Sequence, residues 1–372
     1  MKKVLFVATV VKTHIMEFHI PYLKMFKENG WETAVASRND YENPKECNIP
    51  YCDTYYDIPF ERFPIKMGNV KSYKLLKSII NEQNYDIIHC HTPVGAMLAR
   101  LAAKTARKKG TKVIYTAHGF HFFKGAPLMN WLIYYPVEWL CSFFTDTLIT
   151  INVEDYNLAK NKMHAKTTKY VPGVGLDLNK FYHKDIDVLK KKKELNIPQD
   201  SFVLTSVGEL NTNKNHEIVI RALKKINNPK IHYCIVGCGE LTEHLKNLSK
   251  ELKIENNIHI LGYRLDIAEI YSISNVCVFP SIREGLGMAA LEGMACGLPL
   301  IVAKNRGTLD YCVNGENGFS CQYDNVNQFC DSINKLFLNP NLCSQMSSRN
   351  VNAVRKYDLD NVLCEFEKIY NL

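Results

Sequence analysis

Two series of short apolar runs, each followed by a helix-length stretch, constrain this chain more than any other feature. The first series occupies residues 4–8, 33–36, 87–90, 113–116 and 147–151; the second occupies 202–207, 231–236, 258–261, 276–279 and 300–303. Runs that are apolar throughout, rather than alternating, mark strands buried on both faces. Such strands separated by helices build parallel sheets with helices packed on each side. The rhythm breaks over residues 171–200, where VPGVGLD gives way to a lysine run and Pro198. At 372 residues the chain exceeds one ordinary core and fits two. The expectation is an α/β molecule of two Rossmann-like parallel-sheet domains, 1–175 and 176–355, with a ligand cleft at the carboxyl ends of the strands.

Composition narrows the class. Apolar residues make up 46% and charged residues 23%, the proportions of a globular rather than a disordered protein. The opening MKKVLFVATVV superficially resembles a secretory leader, yet Lys12, His14 and Glu17 follow without a small-residue cleavage site, so it reads as a first buried strand. Thirteen cysteines without a CxxC pair suit reduced thiols in a cytoplasmic setting. In His89-Cys90-His91 a strand would send both imidazoles to one face and the thiol to the other. No second ligand pair stands at zinc-like spacing, so no metal is expected. The formal charge of +8 gathers at Lys71, Lys74 and Lys77, at Lys104, Arg107, Lys108, Lys109 and Lys112, and at 190–193. No nucleic-acid recognition module accompanies it. Solvated helix faces account for most of this charge, with attraction to anionic lipid as a residual role.

The segment PSIREGLGMAALEGMACGLPL, residues 280–300, carries the chemistry. An apolar run ends at 279, a proline-serine stop follows, and Glu284 sits on the turn Gly285-Leu286-Gly287. Good helix formers begin at Met288, carry Glu292, and close at Gly297 and Pro299. A strand, a glycine turn and a helix in that order leave backbone N–H groups at a helix N-terminus, where an anion binds well. Two carboxylates would repel a phosphate but accept hydrogen bonds from the sugar hydroxyls that flank a diphosphate. From Gly287 to Glu292 the helix rises about 7.5 Å, and with the turn added the two acids span a sugar–diphosphate–ribose unit. The pattern describes a nucleotide-sugar cradle.

This E-x7-E arrangement resembles the donor motif of the family-4 retaining glycosyltransferases of GT-B fold. The likeness extends through YTAHGFHFFKGAPLMNWLIYYP (115–136), IIHCHTPVG (87–95) and VGELNTNKNH (207–216), which look like the EpsD-type transferases of exopolysaccharide and capsule biosynthesis. It covers nearly the whole chain, in order. The resemblance implies an acceptor-side domain in 1–175, a nucleotide-sugar-binding domain in 176–355, and a last helix, 356–372, that crosses back to the first domain. It also implies that Lys214 meets the donor β-phosphate, where a fixed cation stabilises departing charge, and that His118 contacts the transferred sugar. Backbone groups at Gly262-Tyr263-Arg264 would hold the base, which puts Tyr263 and Arg264 at the donor, and uracil suits a short pocket there. One departure stands out: relatives carry arginine where this chain has Glu209. Either Arg283 or Arg306 compensates, or Glu209 serves the fold or the acceptor.

Other features divide between structural and functional readings. His14, His19 and His91 follow the runs 4–8 and 87–90 and are assigned to the acceptor region; His121 fits the same wall. Gly237-Cys238-Gly239 lacks the third glycine of a dinucleotide fingerprint and reads as a tight strand–helix turn. Asp185-Ile186-Asp187 and Asp358-Leu359-Asp360 mimic a DxD metal motif but follow no convincing strand, so they read as helix-start acids. Residues 126–144, APLMNWLIYYPVEWLCSFF, are interrupted by Asn130, Pro136 and Glu138 and are too marginal to span a bilayer. Two readings stay open: a buried crossover helix, or an interfacial anchor with Trp131, Tyr134, Tyr135 and Trp139 at the lipid boundary.

These readings converge on a retaining hexosyl- or N-acetylhexosaminyltransferase that needs neither cofactor nor metal and contacts no nucleic acid. It moves a sugar from a nucleotide diphosphate, with UDP the expected carrier, to a polyprenyl-diphosphate-linked saccharide at the cytoplasmic face of the membrane, where peripheral membrane contact is expected. Glu284 and the amides of Gly285, Leu286, Gly287 and Met288 orient the sugar and diphosphate; Glu292 grips the ribose. The rivals are a UDP-sugar epimerase or hydrolase and a non-catalytic partner subunit. An NAD-dependent oxidoreductase fails, because VLFVATVVKTH lacks the GxGxxG turn.

Overall fold

All ten apolar runs are strands in the computed structural model, which describes residues 1–64 and 66–372. The chain divides into two compact units, Met1–Val174 with Asp360–Leu372, and Gly175–Leu359. The first unit contains β1 (Lys3–Val10), β2 (Glu32–Arg38), β3 (Thr54–Asp57), β4 (Ile87–His91), β5 (Lys112–Ala117), β6 (Thr147–Thr150) and β7 (Thr167–Tyr170), ordered β3-β2-β1-β4-β5-β6-β7. The second contains β8 (Phe202–Val207), β9 (Ile231–Val236), β10 (Ile258–Gly262), β11 (Val276–Phe279), β12 (Leu300–Ala303) and β13 (Gly318–Cys321), ordered β10-β9-β8-β11-β12-β13. The strand pairings within both sheets are parallel.

The central strands show why the runs are apolar throughout. In β1, Val4, Phe6 and Ala8 join the cluster on one face of the sheet, while Leu5 and Val7 join that on the other. In β9, Tyr233 and Ile235 face one cluster and Cys234 and Val236 the other. Each sheet reverses its strand order once, between β1 and β4 and between β8 and β11. At such a reversal the loops leaving two neighbouring carboxyl ends diverge and open a crevice. His14, His19 and His91 leave the first sheet at its reversal point, and Lys214 and Glu284 leave the second at its own.

The stretch 126–144 forms the helix Leu128–Ser142, a crossover between β5 and β6 that is buried on one side only, and of the four aromatics read as lipid contacts Trp139 alone is exposed. Trp131, Tyr134 and Tyr135 pack against the core, but Leu128, Met129, Leu132, Trp139 and Leu140 are exposed, as is Phe143 beyond its end. Its one acid, Glu138, is buried because it pairs with buried Arg100 at 2.8 Å. Among the described residues no helix is long and apolar enough to cross a membrane. The lysine run also departs from a solvated face. Lys191 and Lys192 are buried, the first paired with Asp266, Glu269 and Glu194 and the second donating to the carbonyls of Gln199 and Ser201.

Candidate active site

In the second unit the chain turns through residues 280–287 between β11 and the helix Met288–Ala295. Gly287 sits at φ +94°, and a Cβ there would lie 2.6 Å from the Phe279 ring and 3.0 Å from the Tyr311 hydroxyl. Both backbone and space therefore require glycine. As the helix-capping residue it has no side chain to accept from the first-turn amides, and the Ala290 amide donates to its carbonyl at 3.1 Å. The turn is held from several directions. The Ile282 amide donates to the Asn213 carbonyl at 2.8 Å, and Asn213 Nδ2 donates to the Arg283 carbonyl at 3.0 Å. Asn305 Nδ2 donates to the Ser281 carbonyl at 2.9 Å and Tyr311 to the Leu286 carbonyl at 3.0 Å. Burial, and then the charge of Glu284, hold the Tyr311 phenol well above its ordinary pKa, so it stays a donor.

Lys214 closes the 3-10 turn Thr212–Lys214 that follows β8; its amide donates to Asn211 Oδ1 at 3.0 Å. Its Nζ lies 2.7 Å from Glu284 Oε1 and 5.1 Å over the Phe279 ring. Two residues assigned to neighbouring groups of one ligand thus touch, although they stand 70 positions apart. Glu292 lies half-buried within the helix. Exposed Glu209 accepts from Asn211 Nδ2 at 2.9 Å, bracing the turn that carries Lys214. Of the two candidate replacement cations, Arg283 is exposed, whereas Arg306 is buried and its Nε donates to the Glu284 carbonyl at 3.4 Å.

The remaining second-unit candidates fall elsewhere. Tyr263 is exposed, and the Arg264 guanidinium is engaged by Asp266 at 2.8 Å and Glu194 at 2.7 Å. A Cβ on Gly237 would fall 2.0 Å from the Gly208 carbonyl oxygen, so that turn is glycine for close packing of two loops. Asp187 caps the helix Val188–Glu194 through the Lys190 amide at 3.0 Å. Of the asparagines that brace the 280–287 loop, Asn213 was legible in NTNKNH as a turn former; Asn305 and Tyr311 carried no sequence signal.

In the first unit His14, His19, His91 and His118 come together, each pair of rings lying between 3.9 and 6.0 Å apart. A π-helical turn, Val11–Ile15, follows β1 directly. His14 lies in this turn, and the short helix Met16–Phe18 that follows brings His19 to 5.0 Å from it. His91 ends β4, and the next residue, Thr92, sits at φ +61°, its Oγ1 accepting from the Thr9 amide at 3.0 Å and sharing a hydrogen bond with the Thr9 hydroxyl at 2.7 Å. His118 follows β5, its Nε2 3.2 Å from His91 Nδ1. Burial holds His14 down at about 4; burial first, then neighbouring imidazoles, holds His19, His91 and His118 well below the ordinary histidine value.

Two parallel-sheet units, with a lysine and a glutamate meeting beside a helix N-terminus at the second sheet's reversal point, define a glycosyltransferase of GT-B fold. Comparison with known proteins agrees. The family model for glycosyl transferases group 1 matches residues 187–352, and that for glycosyl transferase 4-like proteins matches 3–152. The chain is 40% identical over 374 aligned residues to the putative glycosyltransferase EpsD of Bacillus subtilis, covering 100% of this chain and 96% of that one. It is 33% identical over 271 residues to the UDP-Gal:alpha-D-GlcNAc-diphosphoundecaprenol alpha-1,3-galactosyltransferase of Escherichia coli, covering 71% and 68% of the two chains. The crystal structure of Anabaena HepE in complex with UDP and glucose superposes with a TM-score of 0.82 at 20% identity, covering 100% of both chains. The chain belongs to the EpsD-like, group 1 and family-4-like glycosyltransferases.

Proposed function

We propose that this enzyme transfers a hexosyl or N-acetylhexosaminyl group, with retention, from a UDP-sugar to a saccharide carried on a polyprenyl diphosphate in exopolysaccharide or capsule synthesis. The observation that carries the reading is the 2.7 Å contact of Lys214 with Glu284 beside the amides of the Met288–Ala295 helix. The diphosphate binds at those amides, Lys214 offsets charge on the departing β-phosphate, and Glu284 accepts from hydroxyls of the transferred sugar. Glu292 holds the ribose, and the main chain at Tyr263 and Arg264 holds the uracil. Arg306, against the Glu284 carbonyl, supplies the second cation where relatives carry arginine at the position of Glu209. His118 contacts the sugar; His14, His19 and His91 line the acceptor region.

The acceptor hydroxyl attacks the anomeric carbon from the face that the diphosphate leaves. The new carbon–oxygen bond forms as the old one breaks, and the hydroxyl proton passes to the departing phosphate oxygen, giving UDP. The Escherichia coli relative, named for a UDP-Gal donor and a diphosphoundecaprenol-linked acceptor, supports both substrates. The enzyme works at the inner face of the cell membrane. The exposed apolar side of Leu128–Ser142 supports this. Its end is flanked by cations: Lys104 Nζ lies 3.9 Å over the Phe144 ring and Arg107 donates to the Phe143 carbonyl at 2.9 Å, a combination suited to an anionic bilayer.

The test is a panel of UDP-sugars given with and without a polyprenyl-diphosphate-linked sugar, with products read by NMR. Acceptor-dependent formation of a glycoside with the donor's anomeric configuration is expected, and Lys214→Ala should lower kcat by about 100- to 1,000-fold. Conversion of donor alone to an epimer or free sugar, with no transfer, would put the enzyme among epimerases or hydrolases instead.

A further inference from the structure

His14, His19, His91 and His118 each offer a ring nitrogen, and these four atoms all lie within 4.8 Å of one another. We propose that they bind one transition-metal dication, zinc fitting best, as a structural site that ties together the segments leaving β1, β4 and β5.

Unmet hydrogen-bonding capacity is the first reason. Both ring nitrogens of His19, Nε2 of His14 and Nε2 of His91 are buried without a hydrogen-bond partner, and His19 and His91 are only 2% and 1% exposed. A buried polar atom left unpaired costs about 1–3 kcal/mol, so several in one place need an explanation. His89 supplies the contrast. It is equally buried and stands two residues before His91 on the same face of β4, yet its Nδ1 meets the Tyr370 hydroxyl at 2.6 Å and its Nε2 meets Thr116 at 2.8 Å. The protein satisfies that histidine with its own groups and does not do so for its neighbours.

Ligand chemistry and geometry are the second. Imidazole suits zinc, and zinc takes nitrogen ligands at about 2.0–2.1 Å, which sets the edge of its tetrahedron at about 3.3–3.4 Å. The His91 and His118 rings stand near enough for two of their nitrogens to lie 3.2 Å apart. The widest pair, at up to 4.8 Å, must draw in by about 1.4 Å, within reach of small ring rotations. Four protein ligands close the shell, as structural zinc sites do. The proposal does not rest on sugar transfer: with one ring nitrogen of His118 on the metal, the other remains for a sugar hydroxyl, and either role stands without the other.

The experiment uses tag-free, chelator-treated full-length protein. Zn2+ is titrated against a chromophoric chelator, and Co2+ is added in parallel because its d–d absorption reports ligand number. One Zn2+ per chain, an intense four-coordinate Co2+ spectrum and a Zn2+-dependent rise in melting temperature are expected. His19→Gln and His91→Gln, each checked for fold by circular dichroism, should weaken binding by more than about tenfold. Should a variant fail to fold, the wild-type Co2+ spectrum still decides the matter. Absence of stoichiometric Zn2+ binding, or a weak six-coordinate Co2+ spectrum, overturns the proposal. So does stabilisation by inorganic phosphate where Zn2+ gives none, which would make the cluster an anion site.

Discussion

Replacing Gly287 with alanine isolates what one hydrogen-for-methyl exchange does to the donor loop. The left-handed conformation at φ +94° costs an L-residue about 1–2 kcal/mol, and the new methyl must displace the Phe279 ring 2.6 Å away, an overpacking worth about 1–3 kcal/mol more. Because Phe279 also underlies Lys214, the strain reaches the cation. Gly287→Ala is expected to weaken UDP binding by about tenfold or more by calorimetry; affinity within twofold of wild type would show that this turn does not shape the site. At this scale the sequence was partly legible. Glu284 and the glycines announce themselves because a strand, turn and helix need those residue types in order, whereas family resemblance pointed to Lys214. The meeting of His14, His19, His91 and His118 was not legible, because it depends on a π turn and on sheet order, neither of which leaves a pattern in spacing. His118 therefore read as a sugar contact and the other three as an acceptor wall, with no sign that all four share one pocket.

Strands β3, β7 and β13 escaped a reading that found the other ten, and all three are sheet edges. An edge strand is covered on fewer sides; β7 alternates exposed and half-buried residues in TTKY, so no apolar run marks it. Helices raise the opposite issue: the long apolar one, Leu128–Ser142, keeps much of that surface outside. Leu132→Glu combined with Leu128→Ser should cut binding to anionic vesicles severalfold while leaving the melting temperature within about 2 °C, since exposed positions contribute little to folding. Vesicle binding equal to wild type would remove the membrane role from this helix. The helix His216–Ile226 carries a pH dependence instead. Burial, with Lys214 nearby, holds His216 at about 4 despite a backbone bond near Glu209 that favours its charged form; its Nδ1 meets the Tyr233 hydroxyl at 3.1 Å. The unfolded chain takes up a proton near 6.5 that the folded one refuses until about 4. Its contribution is thus complete above pH 6.5 and declines by about 1.4 kcal/mol per unit as pH falls toward 4. Hydrogen exchange in β9 and this helix should accelerate between pH 6.5 and 4.5 beyond the intrinsic pH effect, less so in His216→Gln; identical profiles would move the acid sensitivity elsewhere.

The chain finishes its first unit with its last residues. Val362, Phe366 and Tyr370 enter the same apolar cluster as Phe6, Tyr22 and Phe26, Phe366 lying 4.8 Å edge-on to Tyr22 and Tyr370 4.7 Å from Phe26. Lys112 adds a bond from its ammonium to the Ile369 carbonyl. Apolar spacing in 359–370 reveals an amphipathic helix, but an amphipathic face does not name the core it covers. Family resemblance, rather than pattern, supplied the expectation for 356–372. The three tryptophans, Trp31, Trp131 and Trp139, all lie within Met1–Val174, so tryptophan fluorescence reports unfolding of the first unit. Phe366→Ala removes a ring that is 2% exposed and should cost about 3–5 kcal/mol, lowering the urea midpoint seen by fluorescence, although residue 366 follows the entire second unit in sequence. A mutation of matched severity in the second unit, Phe329→Ala, should shift hydrogen exchange of β8 and β9 more than it shifts the fluorescence midpoint. If Phe366→Ala left that midpoint where it was, residues 360–372 would lie outside the cooperative fold of the first unit, and its core would have to close without them.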